Sequence, residues 1–166
     1  AAASVTDAVG AAVTATVGAA VTAAVPVGIA VGFAVGFAVG FAVAPGLADL
    51  MVNAVEHGNL GVTYKEKALL KWEGQWEAEI ARRLALPQFR DRFASVCCER
   101  FPDRIVFTIT DQGEGFDWKK YLDFDPERAF DPNGRGIAMA KMMSFTEVEY
   151  RGRGNVVVAT VRLTVG

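Results

Sequence analysis

The chain has 166 residues, 52% of them hydrophobic, and a formal net charge of −2, which suits one domain over 1–166 with a sizeable core. Lys and Arg total 17 against 19 Asp and Glu without a basic block, arguing against a nucleic-acid interface. Two cysteines exclude a disulfide framework and fit a reducing cytoplasm, and a single histidine gives no support for a cluster of metal ligands.

Residues 1–46 are almost wholly Ala, Val, Gly, Thr and Phe, with Asp7 as their only charge and Gly-Phe-Ala-Val repeated from Gly32 to Val43. They inflate the mean hydropathy of +0.25. The run 21–44 exceeds the roughly 18 apolar residues of a membrane span. It has no flanking Lys or Arg and no interfacial Trp or Tyr, and no basic segment precedes it as in a signal peptide. A membrane is therefore not among the expected partners.

Next comes Asp49-Leu-Met-Val-Asn53-Ala-Val-Glu-His57-Gly58-Asn59. Asp49, Asn53 and His57 recur every fourth position, so on a helix they share one face while Leu50, Val52, Ala54 and Val55 pack elsewhere. A carboxylate one turn from a carboxamide suits phosphoryl transfer: the first can orient or deprotonate a nucleophile, and the second offers a hard oxygen to Mg²⁺. Taken alone, the segment is also a C-capped helix, with His57 favoured by the dipole and Gly58 at the cap.

Over 63–86, Leu69, Trp72, Trp76, Ile80 and Leu84 recur at spacings of three and four, predicting an amphipathic helix or a helical pair broken near Gly74 and ended by Pro87. Its Trp-bearing face either docks on the sheet or supplies a partner or dimer surface. Two strand-like runs come after it, 93–101 and 104–110, joined at Pro102-Asp103. Within the first, the adjacent Cys97 and Cys98 point to opposite faces and are read as a reduced pair.

Asp111-Gln-Gly113-Glu-Gly115-Phe116-Asp117 begins at the end of the second strand. An Asp there can accept a hydrogen bond from an exocyclic amine such as that of adenine, and the glycines let the backbone turn close to a flat ring. The segment 116–133 mixes charges, aromatics and two prolines without periodicity, as a functional loop does. Phe116, Trp118 and Phe124 either pack over a nucleotide or form a small core of their own, and Lys119, Lys120 and Arg128 are read as a solvated face. Asn133 then leads into Gly134-Arg135-Gly136-Ile137, which opens a helix over 137–143. Amides at a helix N-terminus bind phosphate oxygens, and Arg135 adds a charged donor. A closing hairpin, 147–151 and 156–165, turns at Gly152-Arg-Gly-Asn155.

Taken singly, Asp-x-Gly-x-Gly is a turn and Gly-x-Gly before a helix is weak. In this order and with these gaps, the three segments resemble the N, G1 and G2 boxes of the Bergerat, or GHKL, ATPase superfamily, and Asn-Ala-Val-Glu-His-Gly-Asn resembles its anti-sigma-factor (RsbW-like) serine/threonine kinase branch. The resemblance spans 47 to about 163. It implies an α+β fold, a two-layer α/β sandwich whose mixed, mostly antiparallel sheet carries helices on one face. ATP and Mg²⁺ would lie under a lid over 116–133, and 62–90 would be a helical insertion. Residues 1–46 would then be an unreliable assignment of side chains over opening strands and a helix, from which no function is inferred.

By the same resemblance Asn53 holds Mg²⁺, Asp49 is the base and Asp111 reads adenine. His57, Gly113, Gly115, Phe116, Asn133, Gly134, Arg135, Gly136 and Ile137 complete the nucleotide site. The implied activity is phosphorylation of a Ser or Thr on a STAS-type antagonist by a bacterial, cytoplasmic regulator of a sigma factor, with a homodimer as a further partner. One residue departs from the pattern: the family's usual base is Glu, and Asp49 falls short by roughly 1 to 1.5 Å, where about 1 Å can cost on the order of 10²-fold in rate. The alternative is accordingly a nucleotide-gated binding module with little or no kinase activity. A histidine autokinase is disfavoured because the chain has no second histidine to serve as acceptor.

Overall fold

The computed structural model describes residues 13–17, 22–23, 37–121 and 136–163. Among the described residues six strands form one sheet: β1 (Val13–Val17), β2 (Thr22–Ala23), β3 (Ala94–Arg100), β4 (Arg104–Thr110), β5 (Glu147–Arg151) and β6 (Val156–Arg162). Their order is β2-β1-β3-β4-β6-β5. The β1–β3 pair is parallel and every other pair is antiparallel. Strict alternation gives β4 one buried face, since Ile105, Phe107 and Ile109 are buried while Arg104, Val106 and Thr108 are not. Both predicted hairpins form, and the first closes with Phe101 N–H donating to the Arg104 carbonyl at 2.8 Å.

Helices cover the apolar face, giving a two-layer α+β sandwich. Helix α1 (Phe37–Asn53) supplies Leu47, Leu50 and Met51, which pack with Phe107, Ile109 and Ala159 of the sheet. Helix α4 (Gly136–Met143) lies against α1 and adds Ile137 and Ala140. The two segments meet closely at Gly46, whose N–H donates to Ser144 Oγ at 3.2 Å and where a Cβ would fall 2.5 Å from Ser144 Cβ. Phe145, just beyond α4, meets Phe107 edge-on at 6.1 Å. Among the described residues no helix is long and apolar enough to cross a membrane.

The α-helical stripe expected from Asp49 through His57 stops at Asn53. Residues Ala54–Asn59 wind as a π-helix, with Leu60 N–H donating to the Val55 carbonyl at 2.9 Å. The wider i to i+5 turn shifts His57 and its neighbours out of the α-helical register.

Over 62–90 the chain forms α2 (Tyr64–Trp72) and α3 (Trp76–Leu84). Thr63 and Glu66 make a capping box at the start of α2. Gly74, at φ +69°, supplies the left-handed residue that breaks the pair. Of the two expectations, the helical pair broken near Gly74 is the one that forms, and the break separates the five apolar positions. Trp76, Ile80 and Leu84 join the core, whereas Leu69 is 53% and Trp72 84% exposed.

Polar ties pin the hairpin to the π-helical turn. Lys67 Nζ pairs with Glu56, with side chains only 12% and 2% exposed. Arg83 donates to the Leu60 carbonyl at 3.0 Å and pairs with Glu66 at 2.9 Å, and Arg92 donates to the Asn59 carbonyl at 2.8 Å.

Burial pushes the Glu56 carboxyl upward, opposed by Lys67 and more weakly by Lys71. Replacing Lys67 by Met strands that carboxylate, so Lys67→Met is expected to lose about 3 kcal/mol or more in urea unfolding at neutral pH. Adding Glu56→Gln should return most of the loss; a Lys67→Met variant as stable as the parent would show that the pair contributes nothing.

Candidate nucleotide site

Asp49 and Asn53 occupy successive turns of α1 where α4 begins. A Cβ placed on Gly136 would lie 3.7 Å from Asn53 Nδ2 and 3.8 and 3.9 Å from Asp49 Cβ and Cγ. The first turn of α4, whose leading amides have no partner within the helix, therefore abuts a pair of oxygen-bearing side chains suited to a phosphate-bound cation. Partial burial pushes the Asp49 carboxyl above its ordinary range, and Lys67 opposes the rise. Among the described residues no three His, Cys, Asp or Glu side chains could together hold a metal. The donor set fits Mg²⁺, which keeps several waters and takes further oxygens from phosphates, better than a cage of protein ligands.

Asp111 stands beyond the end of β4 and is 9% exposed. Its Oδ1 accepts the Gly113 N–H at 2.8 Å, and its own N–H donates to the Asn155 carbonyl at 3.0 Å. Burial raises its pKa; the Gly113 N–H and the charge of Arg153 pull the other way. A carboxylate has several lone pairs, so one Gly113 N–H leaves capacity for an exocyclic amine.

The surroundings admit no Cβ. One on Gly58 would fall 2.4 Å from Asp111 Cγ, and one on Gly113 would fall 2.2 Å from the Gly58 carbonyl oxygen. Gly115, at φ +80°, would place one 2.0 Å from the Arg153 carbonyl oxygen.

Asn59, 2% exposed, ties the π-helical turn to this strand end by accepting the Gln112 N–H at 2.8 Å. Among the described residues its Nδ2 is buried without a partner, a donor that a nucleotide or an ordered water would satisfy. Periodicity could not single out Gly58, Asn59, Asn155 or Arg153 for this site. The only sequence signal for the first two was their place at the end of the His-Gly-Asn run.

Other expected site residues are placed differently. His57 turns its Nδ1 to the Val62 carbonyl, and burial holds its pKa below 6.5, opposed by that hydrogen bond and aided by Lys67. The side chain of Ile137 lies in the core, leaving its backbone for the site. Phe116 meets Tyr150 edge-on at 5.3 Å, and Trp118 stacks on the same ring at 6.0 Å. Of the two readings for these aromatics, the described contacts form a small cluster on Tyr150. Asn133, Gly134 and Arg135 lie outside the described residues, as do Phe124 and Arg128.

With the N-terminal half of the sheet, α1, the strand-end Asp and α4 assembled in this order, a sequence model of the histidine kinase-like ATPase domain matches residues 11–161. The chain belongs to this family. No curated protein matches it. As a histidine kinase-like ATPase domain it binds ATP.

Two measurements probe this architecture. A Gly58→Ala variant forces the π-helical turn off Asp111 and is expected to weaken ATP binding by about tenfold or more, the cost of a geometric shift near 1 Å; unchanged affinity by calorimetry would contradict the close approach. His57, as the sole histidine, can be titrated by NMR. Its midpoint should fall below 6.5. Below that pH the unfolded chain binds a proton that the native chain refuses, so His57 costs no stability above 6.5 and progressively more as pH falls through the folded midpoint.

Proposed function

We propose that this ATPase domain is an Mg²⁺-ATP-dependent protein serine/threonine kinase of the anti-sigma-factor type. It would act in a bacterial cytoplasm on a STAS-type antagonist and control a sigma factor. The reading is carried by the juxtaposition of Asp49 and Asn53 with the first residue of α4, together with the Asn-Ala-Val-Glu-His-Gly-Asn segment.

In this mechanism Asp111 accepts the adenine amine and Gly113 and Gly115 shape the turn beneath it. Asn53 would hold Mg²⁺, which when bound supplies charge neutralisation on the phosphates. Gly134, Arg135 and Gly136 carry the phosphate end. Asp49 orients the acceptor hydroxyl and takes its proton as the oxygen attacks the γ-phosphorus and ADP departs. Little covalent work falls to the protein, so positioning decides the rate.

The short side chain of Asp49 favours a second reading, a nucleotide-gated module in which ATP binding orders the 116–133 lid for a protein partner and little phosphate moves. Calorimetry and ATP turnover separate the two. The parent should bind Mg²⁺-ATP, Asn53→Ala should bind at least about tenfold more weakly, and Asp49→Glu should raise turnover by up to about 10²-fold as the carboxylate regains its reach. Turnover unaffected by Asp49→Ala would sink the kinase reading and leave the gated module; absence of binding by the folded parent would sink both.

A further inference from the structure

Helix α4 begins at the end of the candidate site that Asp49 and Asn53 mark, and it runs away from that end along α1. Gly136 meets Asp49 and Asn53, whereas Ser144, just past the last turn, meets Gly46, so the two helices are antiparallel. On its inner side α4 buries Ile137, Ala138 and Ala140. Its outer side is methionine: Met139 is 39% exposed, and Met142 and Met143 are each 70% exposed. Spacings of three and four put these three on one face. Lys141 points to the far side of the helix from Met139 and is partly buried.

Position and chemistry say what covers this face. At 1.5 Å of rise per residue, Met139 stands about 4.5 Å along the axis from Gly136, and Met142 and Met143 about 9 and 10.5 Å. A protein that accepts a phosphoryl group at the start of α4 brings its hydroxyl to that point. Even a weak, transient interface of about 600 Å² per partner is a disc of roughly 14 Å radius, long enough to take in all three methionines. The face carries no charge, and Ala48, exposed on α1 beside Asp49, adds none. Charged side chains laid on it would lose hydration without gaining a partner, whereas apolar ones are matched by flexible, polarisable thioethers.

We propose that the methionine face of α4 is the docking surface for the protein acceptor, a segment that carries a Ser or Thr hydroxyl with apolar, uncharged side chains roughly 5 to 10 Å from it. The helix that starts at the phosphate end thereby also selects the substrate. This inference rests on the kinase reading of the site.

The test uses the full chain, Mg²⁺ with γ-radiolabelled ATP, and a peptide array in which a central Ser or Thr is fixed and each flanking position is varied. Met142→Gln/Met143→Gln removes the apolar face with helix-forming side chains of similar length, and Met142→Leu/Met143→Leu keeps it. Met142→Lys/Met143→Lys, whose charges suit a helix C-terminus, is a second polar pair should the first fail to fold. The parent is expected to label peptides with Leu, Met or Phe flanking the hydroxyl at least about tenfold faster than those with Asp, Glu, Lys or Arg there. The Gln pair should lose that preference at parental ATP affinity and urea stability, and the Leu pair should retain it. A folded Gln pair with the parental preference, a parent without preference, or a parent that turns over ATP and labels no peptide overturns the proposal alone. So does a parent dimer that the Gln pair converts to monomer in sedimentation, which gives the face to a second copy. Methionine-dependent binding to vesicles of phosphatidylcholine and phosphatidylglycerol in equal parts overturns it as well, in favour of a membrane. A parent with no ATP turnover above Asp49→Ala overturns the kinase reading, and the proposal with it.

Discussion

The contact on which the site depends is the approach of the π-helical turn to the end of β4. Gly58 and Gly113 meet main chain to main chain, with the Asp111 carboxylate wedged beside Gly58 where any Cβ would collide. This contact joins the two halves of the candidate site, because Gly58 lies in the turn that continues the helix bearing Asp49 and Asn53 while Asp111 directly follows the central strand. Asn59 and Asn155 reinforce it from either side through hydrogen bonds to the backbone of Gln112 and Asp111. Side chains larger than hydrogen at either glycine would separate the layers locally, whatever the rest of the core contributed.

A π-helical turn is poorly suited to stand alone, since it trades the regular i to i+4 ladder for wider bonds. Here it is held from outside. Lys67, Arg83 and Arg92 reach Glu56, Leu60 and Asn59 from the α2–α3 hairpin and the segment after it. A buried ion pair such as Lys67–Glu56 gains little net stability over apolar packing, because both charges lose their hydration. What it does supply is a direct tie between α2 and the π-helical turn, beside those made by Arg83 and Arg92.

The outward side of the hairpin obeys a different logic. Gly74 turns the chain so that Trp76, Ile80 and Leu84 are drawn inward and Leu69 and Trp72 are left in solvent. A one-dimensional pattern that merges these five residues overstates what one helix can bury, since the turn resets the phase between α2 and α3.

Sequence alone determined the elements with strong periodicity and the motifs with steric or chemical necessity. The alternating run of β4, the hairpin turns, the helix after Gly136 and the Asp-x-Gly-x-Gly turn all arise from local rules, and their order was enough to indicate the nucleotide-binding family that the match over 11–161 establishes. Tertiary structure decided where local rules are degenerate. Helical spacing put His57 in line with Asp49 and Asn53, yet the switch to π winding gave its ring to Val62. Nothing local marked Lys67 as more than one of several lysines on an exposed-looking helix. Its burial against Glu56 and Trp76 arises only when the hairpin folds back onto the π-helical turn, because long-range packing, unlike periodicity, depends on which surfaces meet.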